Sequence, residues 1–430
     1  MPEPGSRFAA ARRWGLKAGY SVADQALASA SNFGLNVLLA RTLSESRYGA
    51  FGVAFTIFLV LSGIHNALIL EPISVFGPSR YADSLVPYLR RVTLIHLWFT
   101  AGLAILGIAG GLMFCNAELK PVFVAMAATS PAILLFWLAR RAHYLEFRPD
   151  LASLSSLIYC IVLGAAIGLL YFIHMLNGVM SFVALGIASL AASIFSARKT
   201  GVDFRLSRSG DVRSTAAEMW NFGRWILPSA LFFPLITQVQ MLWTSALIGL
   251  GSAGVLRALQ NPVLPVVQVQ TALGTLGLPV LAREFATGHT RAMLRRSAVY
   301  IAALGGVALL YEIAVLLTGG LWDRLLYGGK FATYDWLMPI LGIMPVAVAL
   351  ATGCSVVLRA MLRPGLTTVT HIVGGVFGLI ISYFWIRRAG VTGAVYALTA
   401  SQVVTAAISL ILISVAFRIT KTPVAESKTI

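Results

Sequence analysis

Twelve runs of predominantly apolar residues, each about the length that carries a helix across the hydrocarbon of a bilayer, divide the chain. They cover 18–40, 49–70, 92–115, 121–139, 151–174, 179–196, 225–248, 254–282, 297–318, 336–358, 366–386 and 394–417. Runs this long, without strict alternation of apolar and polar positions, predict helices and not strands. The expected fold is an all-α integral membrane protein of about twelve transmembrane helices. The longest hydrophilic stretch follows the sixth run and separates two halves of six. The expected organisation is therefore an N-terminal lobe 1–196, a cytoplasmic linker 197–224, a C-terminal lobe 225–417 and a cytoplasmic tail 418–430. Two six-helix lobes around a central cavity are the layout of a transporter built from internal repeats. A faint echo between the halves, Leu43-x5-Gly49 and Ile248-x5-Gly254, falls at matching places.

Composition removes the soluble classes. Of 430 residues, 58% are apolar and 11% charged, against the roughly 25% charged residues that coat a soluble domain. The net charge of +17 does not point to nucleic acid, because the basic residues sit in short loops between apolar runs. Of the 33 Lys and Arg residues, 25 fall in the alternate segments that include both termini and 7 in the others. This bias puts both termini in the cytoplasm of a multi-pass inner-membrane protein. Arg12-Arg13 followed by Ala28-Ser29-Ala30 imitates an export signal, but Asp24 and Gln25 interrupt its apolar core, so the segment is expected to remain as the first span. Cys115, Cys160 and Cys354 lie in or at the edge of apolar runs and read as buried small hydrophobes.

Three spans are too polar to face lipid on every side. In the first, Gln25, Ser29, Asn32 and Asn36 recur at i, i+4, i+7 and i+11 and share one face, with Asp24 beside them. In the seventh, Thr237, Gln240 and Thr244 form a shorter row next to Gln238. In the eighth, Arg257, Asn261, Gln268, Thr271 and Thr275 align over several turns, and Arg257 is the basic residue set well inside a span. Such rows line a hydrated cavity or act as hydrogen-bonding glue between helices. Pro228 and Pro234 in the seventh span, and Pro262 and Pro265 in the eighth, are expected to kink them. His65 and Asn66 precede Glu71-Pro72 and suit a cavity mouth or a helix interface equally. His96 is expected at the membrane interface, Glu312 to snorkel outward, Arg359 to serve topology, and His371 to pack or to act. Neither HExxH, CxxC, GxxxxGK[ST] nor a nucleophile elbow occurs, and no outside loop exceeds about 20 residues, so enzyme activity is not expected. No metal or other cofactor is expected.

Two stretches carry a resemblance. Ala23-Asp24-Gln25-Ala26 through Asn36-Val37-Leu38-Leu39-Ala40-Arg41, then Tyr48-Gly49-Ala50-Phe51, resembles the opening of bacterial polysaccharide (O-antigen-type) flippases. Those proteins belong to the multidrug/oligosaccharidyl-lipid/polysaccharide (MOP) transporter superfamily. Leu326-Tyr327-Gly328-Gly329-Lys330-Phe331 is similar to an outside-loop signature of the same family. The resemblance implies paired helical lobes that move a polyprenyl-pyrophosphate-linked oligosaccharide across the cytoplasmic membrane by alternating access, for surface or exopolysaccharide synthesis. A cation-coupled multidrug antiporter of the same superfamily is the alternative. The candidate cavity and substrate residues are Arg257, Asn261, Gln268, Gln25, Asn32, Asn36 and Gln240, with Asp24 as a candidate coupling group. Arg257 could offer a pyrophosphate a bidentate contact. Expected partners are the lipid-linked oligosaccharide and membrane lipids, with a glycan polymerase or export machinery as further candidates, and no nucleic acid.

Overall fold

The computed structural model describes residues 4–201, 209–270, 273, 277, 281, 285, 290–361 and 363–421. Among the described residues the regular structure is helical throughout. Among the described residues eight helices are long and apolar enough to cross a membrane, and nine if the bent pair Leu227–Thr237 and Val239–Leu247 is one span. The more polar Pro4–Thr42 fits the first expected pass and Pro364–Lys421, which folds back on itself, fits the last two, while the eighth, 254–282, lies partly outside the described residues. Side chains such as Phe114 and Leu317, 87% and 82% exposed, cover the outer faces. A surface this apolar is solvated by lipid, and the protein is a multi-pass membrane protein.

The chain forms two compact units, Met1–Leu231 and Phe232–Ile430. In the first, helix α1 (Pro4–Thr42) packs along α6 (Pro149–Phe172). Helix α5 (Lys120–Leu145) is the centre of this unit, touching α4 (Leu85–Phe114), α7 (Gly178–Thr200) and α2 (Glu45–His65). Small residues permit the closest approaches: a Cβ on Gly107 would lie 2.9 Å from that of Ala127, and one on Gly111 would lie 2.7 Å from the Phe123 ring. Hydrocarbon gives helices no hydrophobic reason to associate, so close backbone packing of this kind holds them. Caps follow local chemistry. Ser44 and Asn177 accept from the amides of Arg47 and Met180 at the starts of α2 and α7, and Gly201, at φ 66°, ends α7 in the left-handed conformation.

The second span departs from a plain helix. After His65 the chain takes one π-turn, Asn66–Leu70, before α3 (Glu71–Ser79). Pro72 has no amide to close the following α-turn, and the widened turn precedes it; Asn66 Nδ2 donates to Glu71 Oε1 across it at 3.3 Å. The hydrophilic stretch after the sixth span also contains a helix, α8 (Ser209–Gly223). Its Met219 is buried with Ile69, Leu70, Ile73, Tyr88, Val92 and Leu138.

In the second unit the expected kinks are breaks. The seventh span bends by 53° between α9 (Leu227–Thr237) and α10 (Val239–Leu247), with the Gln238 amide bonded to the Pro234 carbonyl. The eighth passes from α11 (Leu250–Gln260) through a 3-10 turn, Asn261–Val263, into a helical segment 264–270. Pro262 and Pro265 withhold the donors a continuous helix needs there. Helices α12 (Thr290–Thr318), α13 (Leu321–Tyr327), α14 (Met338–Ala360) and α15 (Pro364–Lys421) complete the unit. Within α15, Gly390 at φ 61° and ψ −135° reverses the chain, so that Gly374 and Gly378 of one arm meet Thr405 and Ser401 of the other.

Candidate functional site

The polar face of α1 is engaged within its own unit. Asp24, 1% exposed, accepts from Arg140 Nε at 3.0 Å and Nη2 at 2.6 Å, from Tyr144 Oη at 2.7 Å and from Ser156 Oγ. Arg140 Nη2 also reaches Gln25 Oε1 at 3.4 Å. Asp24 and Gln25 thus meet one guanidinium. Arg140 was not a site candidate in the sequence, because it lies past the apolar run ending at 139. Helix α5 continues to Leu145 and brings Arg140 and Tyr144, four residues apart, onto the face toward α1. That i, i+4 pair was the available signal.

Farther along α1, the Tyr159 hydroxyl donates to half-buried Asn32 and the Tyr48 hydroxyl to buried Asn36, each at 3.4 Å. Each of these asparagines also returns an N–H to the carbonyl one turn back. Asn36, 2% exposed, is packed behind Tyr48. Single cysteines in a cysteine-free background separate the cavity and glue readings. Cysteines at Asn32 and Gln268 are expected to react faster with a water-soluble thiol reagent than cysteines at Asn36 or Leu38. Equal rates at all four positions would mean that packing, not hydration, governs this face.

In the second unit, Gln240 is fully buried and donates to the Ser401 hydroxyl at 3.5 Å and the Ile236 carbonyl at 3.4 Å. Thr244 bonds back to the Gln240 carbonyl at 2.7 Å. Arg257, 4% exposed, and Asn261, fully buried, lie one turn apart where α11 breaks. Asn261 Nδ2 donates to the Tyr327 hydroxyl at 3.2 Å, and that hydroxyl donates to the Ala258 carbonyl at 2.9 Å. Gln268 is half-buried in the segment beyond, while Thr271 and Thr275 lie outside the described residues. Gln270, which the sequence did not single out, is fully buried and donates to the Pro345 carbonyl at 2.9 Å.

Tyr327 belongs to Leu326–Phe331, and the rest of that segment is equally fixed. Asp323 receives the Phe331 amide at 3.0 Å, and Gly328 and Gly329 take φ of 69° and 89° that other residues avoid. Burial raises the Asp323 carboxyl above its ordinary range, while the Phe331 bond acts the other way. Tyr327→Phe strips the donor from the Ala258 carbonyl and the acceptor from Asn261. It is expected to lower stability by about 1–3 kcal/mol, read from unfolding of the detergent-purified protein. An unchanged unfolding curve would show that the loop is not pinned by this hydroxyl.

Two readings are corrected by position. His96, expected at the interface, is fully buried against His65, ring nitrogens 2.9 Å apart. The reason is its neighbours: His65 of α2 meets the ring, and the Pro131 backbone of α5 lies beside it. Glu312, expected to snorkel outward, is 9% exposed, and its carboxylate occupies the notch left by Gly342 of α14. His371 packs against the Phe233 ring at 5.2 Å.

Comparison of whole structures places this arrangement of helices. An inward-facing multidrug resistance MATE family transporter of the MOP superfamily matches with a TM-score of 0.78, covering 93% of this chain and 96% of that one at 13% identity. The fold is that of the MOP-superfamily transporters. The lipid II flippase MurJ, in an inward closed conformation, matches at 0.73 over 92% and 87% of the two chains with 12% identity. A MOP superfamily transporter from Pyrococcus furiosus, noted for a binding pocket of reversed polarity, matches at 0.67 over 94% and 95% with 12% identity. No family model matches the chain, and no curated protein matches its sequence.

Proposed function

We propose that this chain is an inner-membrane flippase that carries a polyprenyl-pyrophosphate-linked oligosaccharide from the cytoplasmic to the outer leaflet by alternating access. The observation that carries the reading is the bond from Asn261 to Tyr327. It seats the flippase-like loop segment on the broken helix that holds Arg257, one turn away. A pyrophosphate head leaves water only at high cost unless a cation and fixed donors replace its hydration. Arg257 supplies the charge, and Asn261, Gln268 and Gln240 supply neutral donors and acceptors for sugar hydroxyls. In the first unit the half-buried Gln25 and Asn32 are the amides open to such hydroxyls, while Asn36 packs behind Tyr48 and holds the helix face in place. Asp24 acts through Arg140: neutralising the carboxylate frees a guanidinium for the anionic head. Supporting the reading is a fold shared with a lipid II flippase. A glycan polymerase would follow, because the product emerges as an outer-leaflet lipid-linked repeat.

The buried N-terminal carboxylate and the similarity to MATE transporters favour the second reading, a cation-coupled multidrug antiporter. Proteoliposomes separate the two. A flippase exposes a lipid-linked oligosaccharide loaded on one side to a lectin or glycosidase on the other, and does not move hydrophobic cations. Cation efflux without glycolipid movement would exchange the two readings. Topology is tested separately: reporter fusions after Lys199 and after Ile430 are expected to report cytoplasm and one near Gly329 the exterior. A cytoplasmic signal at Gly329 would remove the orientation on which the direction of transport depends.

A further inference from the structure

We propose that His65 and His96 are a proton-binding pair, and that proton uptake there is transmitted through the adjoining π-turn to helix α8. The proposal rests on the transport reading for its role in coupling, but not for the binding of the proton.

Both rings are fully buried. His65 Nε2 and His96 Nδ1 stand 2.9 Å apart with the rings edge to face, and the Phe99 ring stacks beyond His65. A contact of this kind needs one donor and one acceptor, so the tautomers are fixed together. The Pro131 carbonyl of α5 faces His96. With His65 Nε2–H donating to His96 Nδ1, the His96 proton sits on Nε2, which is itself buried without a hydrogen-bond partner. His65 Nδ1 is then a bare acceptor, and it is buried without a hydrogen-bond partner. That nitrogen is where a proton would add. The product is one imidazolium hydrogen-bonded to one neutral imidazole, with a single positive charge shared by the pair.

The surroundings offer that charge nothing close. On α2 the charged groups are Glu45 and Arg47, and on α3 beyond the π-turn Glu71; on α4 they are Arg90 and Arg91; on α5 they are Lys120, Arg140 and Arg141, with His143 near the helix end; on α8 they are Asp211, Arg213 and Glu218. Measured along the helices, Arg91, Glu71 and Arg140 are roughly 7 to 14 Å from His96, His65 and Pro131. All lie toward the Arg-rich end of the unit. An uncompensated charge in hydrocarbon costs several kcal/mol, so the described packing is the proton-free state. A proton therefore favours any arrangement that lets water or Glu71 reach the pair, and the equilibrium shifts by that difference in affinity. Hydroxyls already approach. Thr93, one turn before His96, lines a cavity of about 40 Å³ with Ser193, Ser196 and Thr200, enough to hold water.

Transmission has a physical route. His65 is the residue at which the α-helix gives way to the π-turn Asn66–Leu70. Gly223, the last residue of α8, lies on that turn so closely that a Cβ there would be 2.7 Å from the Ala67 carbonyl and 3.0 Å from Leu68 Cα. Closing or shifting the π-turn must move α8, which runs directly into the seventh span.

The test uses the full chain in lipid nanodiscs, labelled with 15N-histidine and titrated from neutral to acid. A coupling across the N–H···N bridge identifies the pair without any variant. The expected result is that two ring signals share one titration step worth a single proton, while hydrogen exchange at 66–70 and 215–223 accelerates with it. In His65→Gln, which keeps a neutral hydrogen-bonding side chain, the acceleration is expected to be lost, and in proteoliposomes so is the response of transport to an imposed pH gradient. Two rings that stay neutral until the protein unfolds, or that titrate independently, would overturn the proposal. So would unchanged exchange behaviour in His65→Gln. Failure of the wild type to move any lipid-linked glycan would instead sink the flippase reading and leave the titration to decide the pair.

Discussion

Arg140→Met is expected to destabilise the protein by about 3 kcal/mol, the lower end of what breaking a buried ion pair costs. The size follows from what remains. Asp24 is 1% exposed while the Arg140 side chain is 17% exposed, so removing the guanidinium strands a carboxylate that water does not reach. Tyr144 and Ser156 still donate to it, which keeps the loss from the upper end. The reverse change, Asp24→Ala, leaves a guanidinium that can turn toward water and is expected to cost less. The double variant Asp24→Ala/Arg140→Met is expected to be more stable than Arg140→Met alone by about 1–2 kcal/mol, the signature of two groups acting as one unit. Thermal unfolding in detergent and yield in the membrane fraction measure all three. If Arg140→Met unfolds like the wild type, or the double variant is the sum of the singles, the pair is not what holds α1 to α5.

The membrane spans were legible because lipid leaves little choice. An apolar solvent imposes long apolar runs, and the charges left over mark the loops. Polar faces were legible for the same reason: Gln25, Asn32 and Asn36 stand out on α1 because amides are costly in lipid. Their partners were not legible. Arg140 read as a loop residue because α5 outlasts its apolar run by six residues, and hydropathy carries no signal for a helix that continues into the interface. The π-turn after His65 leaves the apolar run unbroken, so only the one-residue change of face betrays it. His65 and His96 stand on different helices, each weakly marked, and only tertiary packing makes them a pair. Helix α8 is mostly polar. Its position depends on Met219 entering the cluster around Tyr88 and on Glu218 meeting Arg80 and Tyr81, contacts that no periodicity within 209–223 announces. The burial of Tyr81, then its bond to Glu218, raises that phenol above its ordinary range.

Arg257→Ala is expected to reduce glycolipid transport on the order of a hundredfold, which corresponds to the loss of one desolvated, charge-assisted contact. Arg257 is buried in α11, one turn before the proline break, and Asn261 at that break is tied to the loop segment through Tyr327. A head group bound there meets a planar guanidinium whose two parallel N–H bonds match phosphate oxygens. Arg257→Lys keeps the charge but not the fork and is expected to fall between wild type and alanine. The measurement is appearance of the glycan on the far side of proteoliposomes, normalised to protein that unfolds at the wild-type temperature. That control matters because Arg257 is buried, and a merely structural role would lower yield and unfolding temperature together with transport. A substrate-specific role would lower transport alone and spare any transport of substrates without phosphate. Full transport by Arg257→Ala at normal yield would take this residue out of the mechanism and leave the polar face of the eighth span as packing between helices.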